Sequence, residues 1–311
     1  MFIMWVYYLM LIGAMLLFSI QFVFNKCYQK RLGSTLFYSM IFSAVVAAVS
    51  VPYFIAINGG KIEYTPFSLL IAILYAVDVL ACGVFGAKTL SRANLSVYSL
   101  FMMLGGMLIP FLYGFTLGEK MTLLKGVAMA FVLASMLFTL KKEDDKRADW
   151  FTIVCYVAIF VTNGVTGMLT FMHQRAEAPT VSSSGFLILW NVAKMVIAVL
   201  VIIGFIAYAK LKDPSVVKVQ GASTDGKKGG AFSNFIITAL IIVGFAVVHG
   251  TASLLSTETA LYLDAGVQST ICTGGCILMS AIFGMIFGEK ITKKTVLTVV
   301  CALIGTVLMM L

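Results

Sequence analysis

The sequence predicts an all-α integral membrane protein, with ten transmembrane helices arranged as two inverted five-helix repeats. Three observations predict it. The 311 residues are 61% hydrophobic and only 11% charged, with a mean hydropathy of +1.03, which leaves too little polar surface to coat a soluble globule. Ten mostly apolar segments reach about 20 residues, the length needed to cross about 30 Å of hydrocarbon as a helix. Finally, one phrase occurs twice, 170 positions apart: Gly114-x-x-x-Gly118-Glu119-Lys120-x-Thr122 and Gly284-x-x-x-Gly288-Glu289-Lys290-x-Thr292.

The register of that duplication holds upstream without a gap, pairing Thr89 with Thr259, Val97 with Val267, Ser99 with Ser269, Gly105 with Gly275 and Leu108 with Leu278. The first helix pair aligns near an offset of 145, with Gln29-Lys30 matching Gln174-Arg175. An internal repeat in so apolar a chain points to a transporter whose substrate path runs between two halves.

The spans follow in order. The first repeat, residues 1–141, offers Trp5 to Phe24, Thr35 to Ile57, Pro66 to Lys88, Leu95 to Leu117 and Leu123 to Leu140. A charged linker, 142–150, joins it to the second repeat, 151–311, which offers Phe151 to Met172, Ser184 to Ala209, Phe232 to Ser256, Val267 to Phe287 and Lys294 to Met310. The stretch 210–231 is rich in Gly, Ser, Lys and Asp and reads as a flexible loop. No cleavable signal peptide is apparent, since the first apolar run has no basic leader.

The net charge of +9 comes from basic residues in short loops, where the positive-inside rule accounts for them without a nucleic-acid partner. Loops after odd-numbered spans carry about 17 Lys and Arg and those after even-numbered spans about four, which puts the odd loops in the cytoplasm and both termini outside. An odd number of helices per repeat makes the halves insert in opposite directions. The six cysteines lack metal-ligand spacing, so no metal or other cofactor is expected.

Within the phrase, Gly-x-x-x-Gly spacing puts two glycines on one helix face, where another helix can approach closely. Gly126, Ala130 and Ala134 continue the small-residue spacing, and such faces would also allow a homodimer. Glu119 and Glu289 are expected to meet the positive end of the next helix dipole, with Thr122 and Thr292 as N-caps. Pro110 would kink its helix and free a carbonyl, either lining a path or acting as a structural bend.

The sharper candidates are ionisable groups deep in the spans, each costing about 2.5 to 3.5 kcal/mol near the bilayer centre. Asp78, Lys194 and His249 stand out. Asp78 plus 170 is Val248, so functional groups fall at nearly one depth in both halves. Two readings stand for Asp78 and Lys194: a buried ion pair that fixes packing, or substrate binding and proton coupling. His249 could relay a proton. Trp190, Asn191 and Lys194 group on one helix, an aromatic wall beside an amide and an ammonium that would suit a small zwitterion or carboxylate. Tyr75, Gln21, Asn25, Asn163 and Gln268 could complete a midplane site.

The arrangement resembles the drug/metabolite transporter superfamily, specifically its EamA-like ten-helix group. The likeness rests on Pro110 through Gly114 to Gly118-Glu119-Lys120-Met121-Thr122 and Gly126, and on Gly284 to Gly288-Glu289-Lys290-Ile291-Thr292 and Gly305. It covers the chain end to end. The second copy departs from the first in having Ser280 in place of Pro110. The first helix offers Ser19, Gln21 and Asn25 but no membrane-embedded glutamate, which argues against the proton-coupled cationic drug efflux of the four-helix relatives. The resemblance implies cytoplasmic termini, opposite to the charge bias.

The expected function is secondary active transport, by export or exchange, of a small polar metabolite or drug-like molecule. It would work by alternating access in a plasma membrane, with a coupling proton or ion. The alternatives are a membrane-embedded enzyme on a lipid-linked substrate, with Asp78 and His249 as acid and base, or a channel. No catalytic motif favours an enzyme.

Overall fold

The computed structural model describes residues 2–32, 35–90, 95–139, 150–211, 231–286 and 293–311. The described residues form ten helices: α1 (Phe2–Leu32), α2 (Leu36–Ile57), α3 (Pro66–Leu90), α4 (Leu95–Thr116), α5 (Leu123–Thr139), α6 (Trp150–Gln174), α7 (Ser183–Leu211), α8 (Ala231–Thr259), α9 (Ala265–Ile286) and α10 (Lys293–Met310). Nearly all of the charged linker, most of the 210–231 loop, and Gly288, Glu289 and Thr292 of the second phrase lie outside the described residues.

Among the described residues, six helices are long and apolar enough to cross a membrane, with qualifying stretches Met4–Gln21, Leu36–Ile57, Pro66–Gly86, Trp150–Gln174, Ser183–Leu211 and Ile236–Thr259. Shorter apolar stretches run through the other four, from Phe101 to Thr116, Leu123 to Phe138, Ala265 to Met279 and Val296 to Met310. Where the helices start follows from capping. Thr35, Thr65, Thr122 and Ser182 each accept a main-chain N–H three residues on, from Tyr38, Ser68, Lys125 and Gly185, which meets donors the first helical turn leaves open. Thr122 therefore caps α5 as its sequence position suggests.

The helices gather into two compact units, and each takes helices from both halves of the chain. One comprises residues 1–19, 88–177 and 255–311, the other 20–87 and 178–254. In the first, α5 packs on α10, α4 on both α6 and α9, and α9 on α10. Its core holds Leu11, Ala128, Leu263, Val267, Ile271 and Met309, continued by Met107, Val132, Met136, Ile277 and Ala302. In the second, α2 packs along α7, with Met40, Ala44, Leu80 and Ala198 in one cluster and Tyr28, Val46, Ile242 and Ala246 in another.

Small residues do set close helix contacts, though not the ones spacing suggests. On α5 the buried face carries Ala128, Val132 and Met136, while Ala130 is exposed. The close approach comes from Gly305 of α10, where a β-carbon would press on the Ala128 carbonyl and Val132. Gly105 of α4 lies against the main chain of Phe160 on α6, and Gly275 of α9 lies against the side chain of Met15 on α1. Pro110 is buried beside Gly167 of α6, so in this unit it serves helix packing.

Candidate functional site

The second unit contains a buried polar cluster. Its centre is α7, the most enclosed of the long apolar helices, with 50% of its apolar stretch buried against 22 to 33% in the other five. One turn separates Trp190 from Lys194, so helical geometry stacks them on one face. The ammonium lies 4.3 Å from the Trp190 ring centroid, a cation–π contact strengthened where water is scarce. Lys194 is only 4% exposed and Trp190 2%, so Lys194 does not snorkel and Trp190 is no interface anchor. The ring of Tyr75, from α3, tilts against Trp190 at 5.0 Å, with Phe186 edge-on to Tyr75.

The remaining members come from α8 and α1. His249 Nδ1 donates to the Gln21 side-chain carbonyl, and its imidazole stacks with Phe245 at 5.3 Å. It also lies within electrostatic reach of Lys194. Asn191 is buried, and its amide N–H donates to the Leu187 carbonyl one turn earlier, at 2.8 Å. Asp78 lies half-buried on α3, one turn beyond Tyr75.

Four helices therefore bring Tyr75, Trp190, Lys194, His249 and Gln21 into one polar cluster. The buried ion pair considered for Asp78 and Lys194 is not formed. Among the described residues Lys194 has no carboxylate partner, whereas ion pairs elsewhere join Lys125 to Asp264 and Arg175 to Glu119. The Trp190 indole N–H is likewise buried with no acceptor. Such an orphaned donor in a native interior calls for a physical reason.

Asn163 and Gln268 belong to the first unit and act there as helix ties. Asn163 donates to the Met102 carbonyl at 2.7 Å, bracing α6 against α4. Gln268 donates to the carbonyl and hydroxyl of Ser256, at 2.7 and 3.0 Å. The Asn25 side chain lies outside the described residues.

The repeated phrase acts differently from its spacing. Gly118 sits just past the end of α4 with φ +81°, a backbone state that glycine adopts without strain. Glu119 N–H bonds Gly114 O at 3.0 Å and Gly118 N–H bonds Phe115 O at 3.1 Å, the paired closure of a Schellman motif. The two glycines thus end a helix instead of presenting a packing face. What fills the space over Gly114 is the Glu119 carboxylate, which a β-carbon there would displace.

That carboxylate caps α9, not the following helix as expected. It accepts from Ala265 N–H at 2.6 Å and Gly266 N–H at 3.3 Å, where the helix dipole favours negative charge. Arg175 completes the clamp. Its guanidinium donates to Glu119 at 2.9 Å, to the Ala260 carbonyl at 2.9 Å and to the Leu263 carbonyl. Sequence reasoning used Arg175 only to set register; its signal was a lone arginine in a loop otherwise poor in basic residues.

A second latch, in the other unit, was also missed. The Glu63 carboxylate accepts the Ser182 N–H at 2.6 Å at the start of α7, and Asn58 accepts from the hydroxyls of Ser182 and Ser184 at 3.2 and 2.6 Å. The Ser182 main-chain N–H chiefly holds the Glu63 carboxyl below its ordinary value, helped by the Ser182 hydroxyl, the Asn58 amide and Lys61.

No protein-family model and no curated protein sequence matches this chain. Solved structures do match it. One of them, described as a crystal structure of a protein, aligns over 96% of this chain and 94% of its own with a TM-score of 0.69 at 14% identity. At that identity the likeness speaks for the fold alone, which among the described residues of this chain is ten helices, six of them long and apolar enough to cross a membrane.

Proposed function

We propose that this chain is a multi-pass secondary transporter of a small polar metabolite, built as an EamA-like member of the drug/metabolite transporter superfamily. Its ten helices cross the membrane as two inverted five-helix repeats, and transport proceeds by alternating access. The duplicated phrase motivates the repeat, and two contacts support it. Gly105 meets Phe160 and Gly275 meets Met15. The glycines differ by the 170 positions of the duplication, and their partners by the 145 positions that align the first helix pair. In repeat terms, the fourth helix of each half packs through the same glycine on the same position of the other half's first helix. The packing of α2 on α7, α4 on α9 and α5 on α10 pairs equivalent helices in the same sense.

The observation that carries the function is the Lys194 cluster. A charge deep in a membrane helix costs about 2.5 to 3.5 kcal/mol even on the gentler scale, and such groups mark substrate and ion pathways. Among the described residues the charge has no ion pair to explain it, and an indole donor beside it is also unmet. Binding of a polar solute meets both needs.

Counterflow tests this. Purified protein in proteoliposomes is given labelled amino acids, organic acids and nucleosides, one at a time, with or without the same solute trapped inside. Saturable uptake that the trapped solute accelerates is expected for at least one. Flux that rises linearly with concentration and ignores trapped solute would favour a channel and refute the carrier.

A further inference from the structure

We infer that the cluster around Lys194 is an anion site, taking the carboxylate of a small organic acid between the Lys194 ammonium and the Trp190 indole N–H. The transporter reading is needed only for what happens to the anion after it binds.

Donors and acceptors around this point do not balance. Lys194 contributes three N–H donors and one positive charge, yet its neighbours among the described residues are the face of the Trp190 ring and the His249 imidazole, neither of them an anion. Trp190 Nε1 is the one buried nitrogen without a hydrogen-bond partner among the described residues. Two neighbouring groups are engaged elsewhere: the Asn191 amide gives an N–H to Leu187, and His249 Nδ1 donates to Gln21. Among the described residues the indole N–H has no acceptor and the ammonium has no anion, and one acceptor carrying negative charge would serve both.

Chemistry narrows the class. A cationic solute would meet the Lys194 charge at close range with nothing gained. A neutral amide or sugar could satisfy the indole but would leave the ammonium uncompensated. A phosphate dianion would leave an excess negative charge in a site with one cation. A carboxylate matches the single charge, and its two oxygens can accept from both donors at once in short, charge-assisted bonds. Ammonium and indole are neighbours across one helical turn, which suits that span.

The experiment is a thermal-shift titration of the purified full chain with sodium acetate, butyrate and benzoate. The matching primary amides, the matching alkylammonium chlorides, sodium phosphate and sodium chloride are run at equal ionic strength. At least one carboxylate is expected to raise Tm in a saturable way, with no such rise from amide, ammonium, phosphate or chloride. Lys194→Met is expected to weaken that carboxylate at least about thirtyfold, and Trp190→Phe about tenfold. If Lys194→Met fails to fold, Lys194→Arg together with the wild-type selectivity decides: retained carboxylate preference supports the site.

Stabilisation by amides, ammonium salts or phosphate instead of carboxylates overturns the inference. So does the absence of any carboxylate effect, or unchanged affinity in a folded Lys194→Met protein. The two proposals fail separately. Counterflow of cations or neutral solutes alone sinks the anion site and leaves the carrier; carboxylate binding without counterflow does the reverse.

Discussion

Gly105 lies so close to Phe160 that a methyl group on its α-carbon would overlap the Phe160 carbonyl. At Gly275, 170 residues on, a methyl would instead press onto the flexible side chain of Met15. Backbone cannot step aside as a thioether can. Gly105→Ala is therefore expected to cost about 1 to 3 kcal/mol as overpacking, and Gly275→Ala less than about 1 kcal/mol. Unfolding of both variants in one detergent measures the gap, and equal losses would contradict it.

The Gly114 and Glu119 pair should behave as one device. Gly114→Ala intrudes on the carboxylate that caps α9, and Glu119→Ala removes that carboxylate while leaving the Arg175 charge half-paired. Glu119→Ala is expected to cost about 3 kcal/mol, the scale for breaking a partly buried ion pair that also serves as a cap. With Glu119 already shortened, the added methyl has room. The double variant should then be about as stable as Glu119→Ala alone, and simple additivity in a double-mutant cycle would contradict the shared space.

Acid should loosen the latch at the start of α7. Because the folded protein holds the Glu63 carboxyl below its ordinary value of 4.5, its contribution is fully present above that value. It is lost as pH falls through the lower, folded value. The stability difference between wild type and Glu63→Gln should therefore be constant near neutrality and shrink on acidification. A thermal-shift series in pH reads this directly, and a difference that grows in acid would reverse the sign.

Lys194 should cost stability while serving binding. Burying a charge without a partner costs folding free energy, and an apolar chain of similar length removes that cost. Lys194→Met is thus expected to raise the Tm of the ligand-free protein while abolishing solute-dependent stabilisation. A fall in Tm would mean that Lys194 has a structural partner after all.

Much of the helix plan was legible, because apolar runs and Thr or Ser caps are local signals. Starts at Leu36, Pro66, Leu95 and Leu123 follow directly from them. The exception is α1, which continues to Leu32, well past its apolar run, since Gln, Lys and Arg carry a helix as readily as Leu. Within the cluster, Trp190 and Lys194 could be paired on paper because one helix fixes their spacing.

Long-range partners could not be read. His249 and Gln21 are 228 positions apart, and Arg175 reaches partners 56 to 88 positions away. Nor does spacing reveal a positive φ. Gly114 and Gly118 look like one helix face until the chain is seen to turn at Gly118. Asn163 and Gln268 were polar groups in apolar helices, and sequence alone cannot separate a tie between helices from a ligand contact.

The interleaving of the two compact units has a consequence for how the chain is made. Residues 20–87 gain their unit only with residues 178–254, and α4 and α5 gain theirs only with α6, α9 and α10. When the first half leaves the ribosome, neither unit can close. In the proposed membrane arrangement its helices would wait in the bilayer as individually hydrogen-bonded rods, a state lipid tolerates and water would not. Maturation is thus tied to completion of synthesis, and the two halves expressed as separate polypeptides should acquire protease resistance only when both are present.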